Sequence, residues 1–374
     1  MSEKIACLED GIFSTSTIKR LENLYDREDE KGELEVLIKT NAWITLSGLR
    51  RTGKTTLARS VSLSLQDFYT IYINAWSMPS GPTLDAFLEA LKDELLVFLE
   101  KSKFKKAIST VKRLGFLGVS LEFREKSQLK LLNVLRDSVA KKPLILIVDE
   151  APYLFNDVKV GKFFTSLHDT ISRNLIVIFT GSTISMVRII EKNEDAPLYG
   201  RIDTEMKLEP FDEQTSRGFL IAGFEQCGIR VPKEVIDVSV RRLGGFPGWL
   251  ALLGRIVVRS FILKKQVQLE HVLSQLEKNA FKVIYKEISK FLRGKKNIRG
   301  YLKILRVAAE EGDITISRMA RLLRRDPSTA VFYAEQLMLH GLLKKVKNFY
   351  TIPDPIIRRA AMNPDFEKEI KIRL

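Results

Sequence analysis

The stretch Gly48–Thr55 reads Gly-Leu-Arg-Arg-Thr-Gly-Lys-Thr and constrains the fold more than any other part of the sequence. It matches G-x-x-x-x-G-K-[ST], in which a glycine-rich turn and the start of a helix surround a phosphate with backbone N–H groups. The apolar run Ala42–Leu46 precedes it, and helical spacing over Thr55–Leu65 follows it. Strand, phosphate loop and helix in this order predict an α/β domain with a parallel sheet and a nucleotide at its edge.

The residue types inside this loop suit a bound nucleotide. Lys54 would carry positive charge to the β and γ phosphates of ATP, and the Thr55 hydroxyl offers a hard oxygen to Mg²⁺. Glycines allow a tight turn around the anion. The residues predicted to contact the nucleotide are Gly48, Leu49, Arg50, Arg51, Thr52, Gly53, Lys54, Thr55 and Thr56.

Two acidic residues end another buried strand. Leu144–Val148 and Leu175–Phe179 are continuous apolar runs, typical of central strands in a parallel sheet covered on both faces. Asp149 and Glu150 directly follow the first run. Acids at strand ends are often only solvated caps, but the carboxyl edge of a parallel sheet is also where ligands bind. Beside the phosphate loop, we predict that Asp149 holds Mg²⁺ and that Glu150 orients and polarises the attacking water.

Polar and basic residues near the following strands offer further contacts. Thr180 or Ser182 could sense the γ-phosphate, and a plain strand-to-helix turn is the alternative. Arg201 could stabilise charge on the transferring phosphoryl group, from this subunit or a neighbouring one, or it could simply pair with Asp203. The predicted catalytic residues are Lys54, Glu150 and Arg201.

The chain divides into parts of different character. Phe68–Ala75 and Glu205–Leu208 read as further strands, and Leu117–Phe123 alternates like a short hairpin strand after the basic segment Lys101–Arg113. Beyond Pro210 the pattern is helical, and it ends in three short helices with a two-stranded wing. We predict a P-loop ATPase domain at 1–210, a helical lid domain at 211–292 and a winged-helix domain at 293–374.

Charge and cysteine content bear on partners and location. The chain has 61 Lys and Arg against 46 Asp and Glu, and the formal net charge of +15 favours a polyanionic partner; a basic surface without one is the alternative. Cys7 and Cys227 are too few for a disulfide framework or a metal site, which indicates a reducing interior. No targeting or membrane-spanning run is found, so we predict a cytoplasmic protein without membrane contact.

Basic residues crowd the predicted winged helix. They lie on one helix, on the turn after it and in the wing: Arg318, Arg321, Arg324, Arg325, Lys344, Lys345 and Lys347. Asp326–Leu339 would be the recognition helix, and this pattern favours contact with double-stranded DNA. A regulatory lid is the alternative. A homo-oligomer and a protein partner, the latter bound through Lys101–Arg113, are also left open.

Together these segments resemble the archaeal ATPase family within the AAA+-like and STAND P-loop ATPases. The matching segments are Tyr25–Glu28, Gly48–Thr55, Ile147–Ala151, Phe179–Ser182, Pro197–Arg201 and Gly245–Pro247. The resemblance implies a three-layer α/β domain with sheet order 5-1-4-3-2, a helical lid and a C-terminal winged helix-turn-helix. It also implies that Arg27 lies near the adenine and that Pro247 touches the base or ribose. Pro152 stands where the family more often has Gln, which affects only a further polar contact there.

Two functional hypotheses follow. The first is a Mg²⁺-dependent ATPase whose ATP and ADP states reposition the lid and the winged helix. The second is a nucleotide-gated DNA-binding regulator or protein-interaction switch, in which turnover is slow and nucleotide occupancy is the signal.

Overall fold

A computed structural model of the chain describes residues 2–14, 21–78, 81–101, 104–117, 120–171, 173–182, 198–263 and 268–374. The chain divides into two compact units. The α/β unit comprises Thr17–Gly48 and Gly53–Leu208, and the helical unit comprises Met1–Ser16, Leu49–Thr52 and Glu209–Leu374. The helical unit therefore includes the first helix, α1 (Ser2–Asp10), and the tip of the phosphate loop. This differs from the single range 1–210 expected for the nucleotide domain.

The α/β unit is built on a five-stranded parallel sheet. Its strands are β1 (Ile44–Gly48), β2 (Tyr69–Asn74), β3 (Leu144–Asp149), β4 (Leu175–Gly181) and β5 (Thr204–Leu208). Their order is β2-β3-β4-β1-β5, which confirms the predicted order 5-1-4-3-2 read from the opposite edge. The described helices of this unit are α2 (Glu28–Lys39), α3 (Lys54–Ser64), α4 (Leu84–Lys101), α5 (Lys105–Val111), α6 (Leu121–Val139) and α7 (Val158–Thr170).

Strand β3 shows how the sequence produces this layered arrangement. Leu144, Leu146 and Val148 belong to one apolar core, whereas Ile145 and Ile147 belong to another. Alternate side chains of a strand point to opposite faces of the sheet, so the two cores lie on opposite faces. All of these residues are buried, which explains why the strand reads as a continuous apolar run rather than an alternating one.

The hairpin strand predicted at Leu117–Phe123 is wrong. Ser120 is the N-cap of α6, and its hydroxyl accepts a hydrogen bond from the Phe123 N–H at 3.3 Å. Such a cap satisfies one of the free N–H groups at a helix start. A short alternating run cannot compete with a capped helix that continues to Val139. Residues 118 and 119 lie outside the described residues.

The helical unit contains one disulfide, between Cys7 and Cys227, which counts against the reducing interior that the low cysteine content indicated. They are separated by 220 residues, and nothing in the local sequence of either one signals the pairing. Nearby, the Phe13 ring packs on Phe219 and Phe224, with ring centroids 5.8 and 5.0 Å apart. These contacts explain why the N-terminal segment groups with the helical unit. Among the described helices, none has the length and apolarity needed to cross a membrane.

The described helices of this unit between residues 209 and 293 are α8 (Glu213–Gln226), α9 (Lys233–Leu243), α10 (Pro247–Ile262) and α11 (Leu269–Leu292). The elements after residue 293 are α12 (Ile298–Glu311), β6 (Asp313–Ile314), α13 (Ile316–Leu323), α14 (Pro327–Leu339), β7 (Lys344–Val346), β8 (Phe349–Thr351), α15 (Pro355–Met362) and α16 (Phe366–Lys371). The order from α12 to β8 is that of a winged helix-turn-helix. Its sheet has a third strand, β6, which pairs with β8 and was not predicted. Two residues are too few to give a strand pattern in the sequence.

Candidate functional site

The phosphate loop begins at the carboxyl end of β1 and enters α3. Gly48 has a φ of 148° and Gly53 a φ of 98°, values that residues with a side chain rarely adopt. A Cβ atom on Gly53 would meet no heavy atom within 4 Å, so the requirement for glycine there is conformational rather than steric. The buried Lys54 folds back across the loop, and its Nζ donates to the Gly48 carbonyl oxygen at 2.9 Å. The loop is thus a turn closed by its own lysine.

Thr55 and Asp149 come together beside this loop. The Thr55 hydroxyl donates to Asp149 Oδ1 at 2.8 Å, which joins the first turn of α3 to the end of β3. These are two hard oxygens, and Mg²⁺ prefers six such ligands at 2.0–2.1 Å, whose neighbours are then about 2.9 Å apart. Thr55 and Asp149 are therefore two adjacent hard oxygens that would suit Mg²⁺. The remaining ligands would be phosphate and water oxygens, since the described residues hold no group of three or more His, Cys, Asp or Glu arranged for a metal.

Asp149 is the centre of a buried polar network. Besides Thr55, its Oδ1 accepts a hydrogen bond from the Thr180 hydroxyl, and its Oδ2 accepts from the Tyr72 hydroxyl at 2.7 Å and from Asn74 Nδ2 at 3.1 Å. Asn74 pairs directly with Asp149 in the register of β2 and β3. Burial, as the larger cause, and the neighbouring Asp149 carboxylate both raise the pKa of the Tyr72 phenol, so this hydroxyl remains a donor. Four donors fix the direction of one carboxylate.

Glu150 follows at the carboxyl edge of the same strand. Its backbone is left-handed, with φ 54° and ψ 38°. Its N–H donates to the Thr180 hydroxyl at 3.3 Å. A non-glycine residue in this region costs about 1–3 kcal/mol, and such conformations are concentrated at functional sites. Thr180, considered above as a phosphate sensor, thus links Asp149 and Glu150 through its hydroxyl, and its contact with phosphate stays a prediction.

Arg201 lies near the amino ends of the sheet strands, whereas the phosphate loop lies at their carboxyl ends. It precedes β5, whose Thr204 pairs with Ile44 at the start of β1, whereas Gly48 at the start of the loop pairs with Leu208. Four residues of strand span about 13 Å. Arg201 therefore cannot complete the site of its own subunit, and a contact with the nucleotide would have to come from a second copy.

The partner of Arg201 also differs from the expected one. Its Nε and Nη2 donate to the two carboxylate oxygens of Asp169 at 3.2 and 3.1 Å. This pairing with Arg201 holds the pKa of the largely exposed Asp169 below its usual value. The alternative partner, Asp203, instead accepts from the Trp43 N–H at 2.6 Å. The alternative left open for Arg201, a pair with Asp203, is therefore wrong.

Within the helical unit, Arg51 joins a network that the sequence did not reveal. Its Nη2 donates to both carboxylate oxygens of Glu287, at 2.9 and 3.0 Å, and its guanidinium lies 4.1 Å from the centroid of the Trp249 ring. The Trp249 indole N–H donates to Asp354 at 2.8 Å, and Gly248 N–H donates to the Arg51 carbonyl at 3.1 Å. Burial raises the pKa of Asp354, while the nearby Arg51 opposes that rise. The side chain of one loop residue is thus held by α10, α11 and the N-cap of α15.

The other predicted loop residues are placed as follows. The Thr52 hydroxyl donates to the Leu49 carbonyl at 2.9 Å, which stabilises the turn internally. Arg50 Nη1 lies 3.5 Å from Glu287, as a second cation on the same carboxylate. Thr56 is half-buried in the first turn of α3. Their contacts with a nucleotide remain predictions.

Three residues predicted outside the loop lie on different elements. Arg27 is the N-cap residue of α2 and pairs with Glu30 at 2.5 Å. Ser182 directly follows β4 and is half-buried. Pro247 is the first residue of α10 in the helical unit. The proposed contacts of these residues with adenine, γ-phosphate and ribose stay predictions, and Pro197 lies outside the described residues.

Sequence reasoning missed Tyr72, Asn74, Asp169, Trp249 and Glu287. For the first two a signal was present: they are two residues apart near the end of β2, and so lie on one face of the strand. Knowing that β2 neighbours β3 would have placed them beside Asp149. For the others we find no local signal, because their partners are distant in the chain.

Comparisons with known proteins show which family and which fold the chain shares. A family model described as an ATPase domain predominantly from Archaea matches residues 24–253. The chain is similar to the solved structure of a Walker-type ATPase of Pyrococcus abyssi, with 25% identity and a TM-score of 0.74, over 94% of this chain and 100% of that one. A comparison with curated proteins gave no match.

Two further solved structures are similar in fold. The ORC2 protein of Aeropyrum pernix, in ADPNP–ADP complexes, has 14% identity and a TM-score of 0.61, with coverage of 97% of this chain and 98% of that one. The Aeropyrum pernix ORC1 protein in complex with DNA has 16% identity and a TM-score of 0.54, with 98% of each chain covered. At such low identity these two show the fold alone. Because the family model spans more than half of the sequence, the chain belongs to the family of ATPase domains found predominantly in Archaea, and is a P-loop ATPase.

Proposed function

We propose that this P-loop ATPase requires Mg²⁺ and that its nucleotide state controls the binding of double-stranded DNA by its winged helix. The observation that carries the enzymatic part is the hydrogen bond of 2.8 Å between the Thr55 hydroxyl and Asp149, beside the loop that Lys54 closes. It supports a site in which phosphate, metal ligands and a second acid share one sheet edge. Magnesium would neutralise developing phosphate charge when it is bound.

Each residue of the site then has one task. Lys54 leaves the Gly48 carbonyl and neutralises the β and γ phosphates, while loop N–H groups bind phosphate oxygens. Thr55 and Asp149 hold the metal, and the network around Asp149 keeps its carboxylate aimed. Glu150 orients and polarises the attacking water. Arg201, near the amino ends of the strands, acts only in a homo-oligomer, where it would come from the neighbouring subunit.

The charge of the winged helix supports the DNA part of the proposal. Six basic residues are exposed there: Arg321, Arg324, Arg325, Lys344, Lys345 and Lys347. Arg318, by contrast, is paired with Glu311 at 2.5 Å, and this pairing lowers the pKa of the Glu311 carboxyl. The cations near the start of α14 and along the wing suit phosphates on either side of a groove.

A salt titration of duplex DNA binding tests this proposal. Each phosphate contact contributes about 0.9 to the slope of log affinity against log salt concentration, so the double substitution Arg324→Ala/Arg325→Ala should reduce that slope by about 2. Arg318→Ala is the matched control and should leave the slope unchanged, because Glu311 already neutralises this arginine. Binding that is absent, or insensitive to salt, in both the ATP and ADP states would contradict the DNA proposal.

A switch with slow turnover is the second candidate. It is favoured by the position of Arg201, since a subunit that lacks its own arginine at the phosphates would hydrolyse ATP slowly when alone. ATP turnover measured with and without duplex DNA, alongside solution mass in each nucleotide state, distinguishes the two. A protein partner at Lys101–Arg113, part of which forms α5, and a cytoplasmic location stay predictions.

A further inference from the structure

Helix α14 has two faces of different character. Its buried face consists of Ala330, Tyr333, Ala334 and Leu337. Its outward face follows the helical spacing i, i+3, i+4 and i+7 and consists of Ser328, Val331, Phe332 and Glu335. Val331 is 37% exposed and Phe332 is 53% exposed. The first two turns of the helix therefore present an aromatic and a β-branched side chain to solvent.

The start of this helix is rigidly defined. The Asp326 carboxylate caps it, accepting from the Thr329 N–H and the Thr329 hydroxyl, both at 2.8 Å. Hydrogen bonds from the Ser328 hydroxyl first, and then from Thr329, hold the pKa of Asp326 well below its usual range, so the cap stays charged. A charged cap at the helix start fixes the turn from which Val331 and Phe332 project.

The cations of the winged helix lie before and after α14 in the chain rather than on the helix. Helix α14 contains no Lys or Arg, whereas Arg324 and Arg325 precede it and the lysines of the wing follow it. A recognition helix that reads guanine needs Arg or Lys facing the base edges. This helix offers apolar groups instead, and among the bases only thymine presents a methyl group in the major groove.

We infer that Val331 and Phe332 contact thymine C5-methyl groups in the major groove, while the flanking cations hold the phosphates. The inference rests on the proposed DNA binding and adds its specificity: A·T-containing duplex DNA is preferred through apolar contact. The charge around the face is what selects DNA over a protein partner, because a neutral apolar docking site would not need cations on both sides.

Uracil provides a direct probe of this contact. A duplex of alternating A·U pairs keeps the major-groove hydrogen-bonding groups of A·T and lacks only the methyl groups. Burying one such group is worth about 0.8 kcal/mol, so each lost contact should weaken binding about fourfold. The full chain, with ATP bound, should therefore bind a short alternating A·T duplex at least fourfold more tightly than the same duplex containing uracil.

Substitutions assign the preference to the helix. Phe332→Ala should lose most of the preference for the A·T duplex, the remainder being the contact of Val331, and Val331→Ala should lose part of the preference. Met362→Ala, a similarly exposed apolar residue on α15, is the matched control and should keep the full preference. Arg325→Ala should weaken binding to both duplexes by the same factor. Far-ultraviolet circular dichroism checks the folding of each variant, and Phe332→Leu replaces Phe332→Ala if that variant is unfolded.

Two outcomes would overturn the inference while leaving DNA binding intact. One is equal, salt-dependent affinity of the unmodified protein for the two duplexes. The other is a Phe332→Ala variant that keeps the thymine preference but changes the solution mass, which would make this face a contact between protein chains. A protein that binds neither duplex at any salt concentration would refute the proposed DNA binding itself, and the inference would fall with it.

Discussion

Replacing Asp149 by Asn tests the polar network at the site with the smallest change of shape. Oδ1 accepts from the hydroxyls of Thr55 and Thr180, and Oδ2 accepts from Tyr72 and Asn74. The amide nitrogen of the new asparagine cannot take the position of Oδ2, because the Asn74 amide nitrogen that faces this position can only donate. It must take the Oδ1 position, where each threonine hydroxyl can rotate and accept instead.

These contacts set the expected magnitudes. Asp149→Asn keeps two acceptor contacts and loses mainly the negative charge, so we expect a loss of about 2 kcal/mol in the free energy of unfolding. Asp149→Ala removes the shared acceptor of four hydrogen bonds and should cost about 4 kcal/mol or more. Asp137→Asn, on the exposed face of α6, is the control and should change stability by less than about 0.5 kcal/mol.

The functional assay is ATP binding with and without Mg²⁺, measured by titration calorimetry next to urea unfolding. In the unmodified protein Mg²⁺ should strengthen ATP binding. In Asp149→Asn the factor by which Mg²⁺ strengthens ATP binding should be about 10- to 100-fold smaller. An Asn variant that retains the whole magnesium effect would refute the metal role of Asp149. An Ala variant as stable as the unmodified protein would refute the account of the network.

Three further perturbations test separate parts of the structure. Closure of a loop of 220 residues gives an entropic stabilisation of about 5 kcal/mol, so Cys7→Ser should lower the free energy of unfolding by about that amount. Reductant should not change the stability of the Cys7→Ser variant any further. If reductant leaves the unmodified protein equally stable, the disulfide does not contribute. Arg51→Ala and Glu287→Gln should show a coupling energy of about 1–2 kcal/mol in a double-mutant cycle of urea unfolding, and additive effects would contradict the ion pair. Arg201→Ala should lower kcat about 1000-fold without weakening ATP binding. Mixing this variant with Glu150→Gln should restore part of the activity, because the first variant supplies an intact Glu150 and the second an intact Arg201. No restoration in the mixture would count against action between subunits.

Local patterns predicted the elements that carry the chemistry. The phosphate loop is defined by residues next to one another in the chain, and the buried strand ending at Asp149 reads as a continuous apolar run. The sheet order was expected from the family resemblance, and the structure confirms it. The hydrogen bond between Thr55 and Asp149 follows from these parts, because Asp149 ends β3 and Thr55 begins the helix that follows β1, both at the carboxyl side of one parallel sheet.

Contacts between distant residues could not be predicted in this way. The bond between Cys7 and Cys227, and the contacts of Arg51 with Glu287 and Trp249, depend on how helices pack rather than on any local spacing. The position of Arg201 needed the register of β5 against β1, which no sequence pattern supplies. Short elements such as β6 contain too few residues for a periodicity.

The central claim is that Glu150 prepares the water that attacks ATP at this loop. The most direct test is steady-state ATP hydrolysis by Glu150→Gln, together with its ATP affinity. We expect kcat to fall about 100-fold or more, because the loss of a general base costs at least that factor. ATP affinity should be unchanged, since the phosphate contacts of the loop remain. Unchanged hydrolysis in this variant would contradict the assignment of the site.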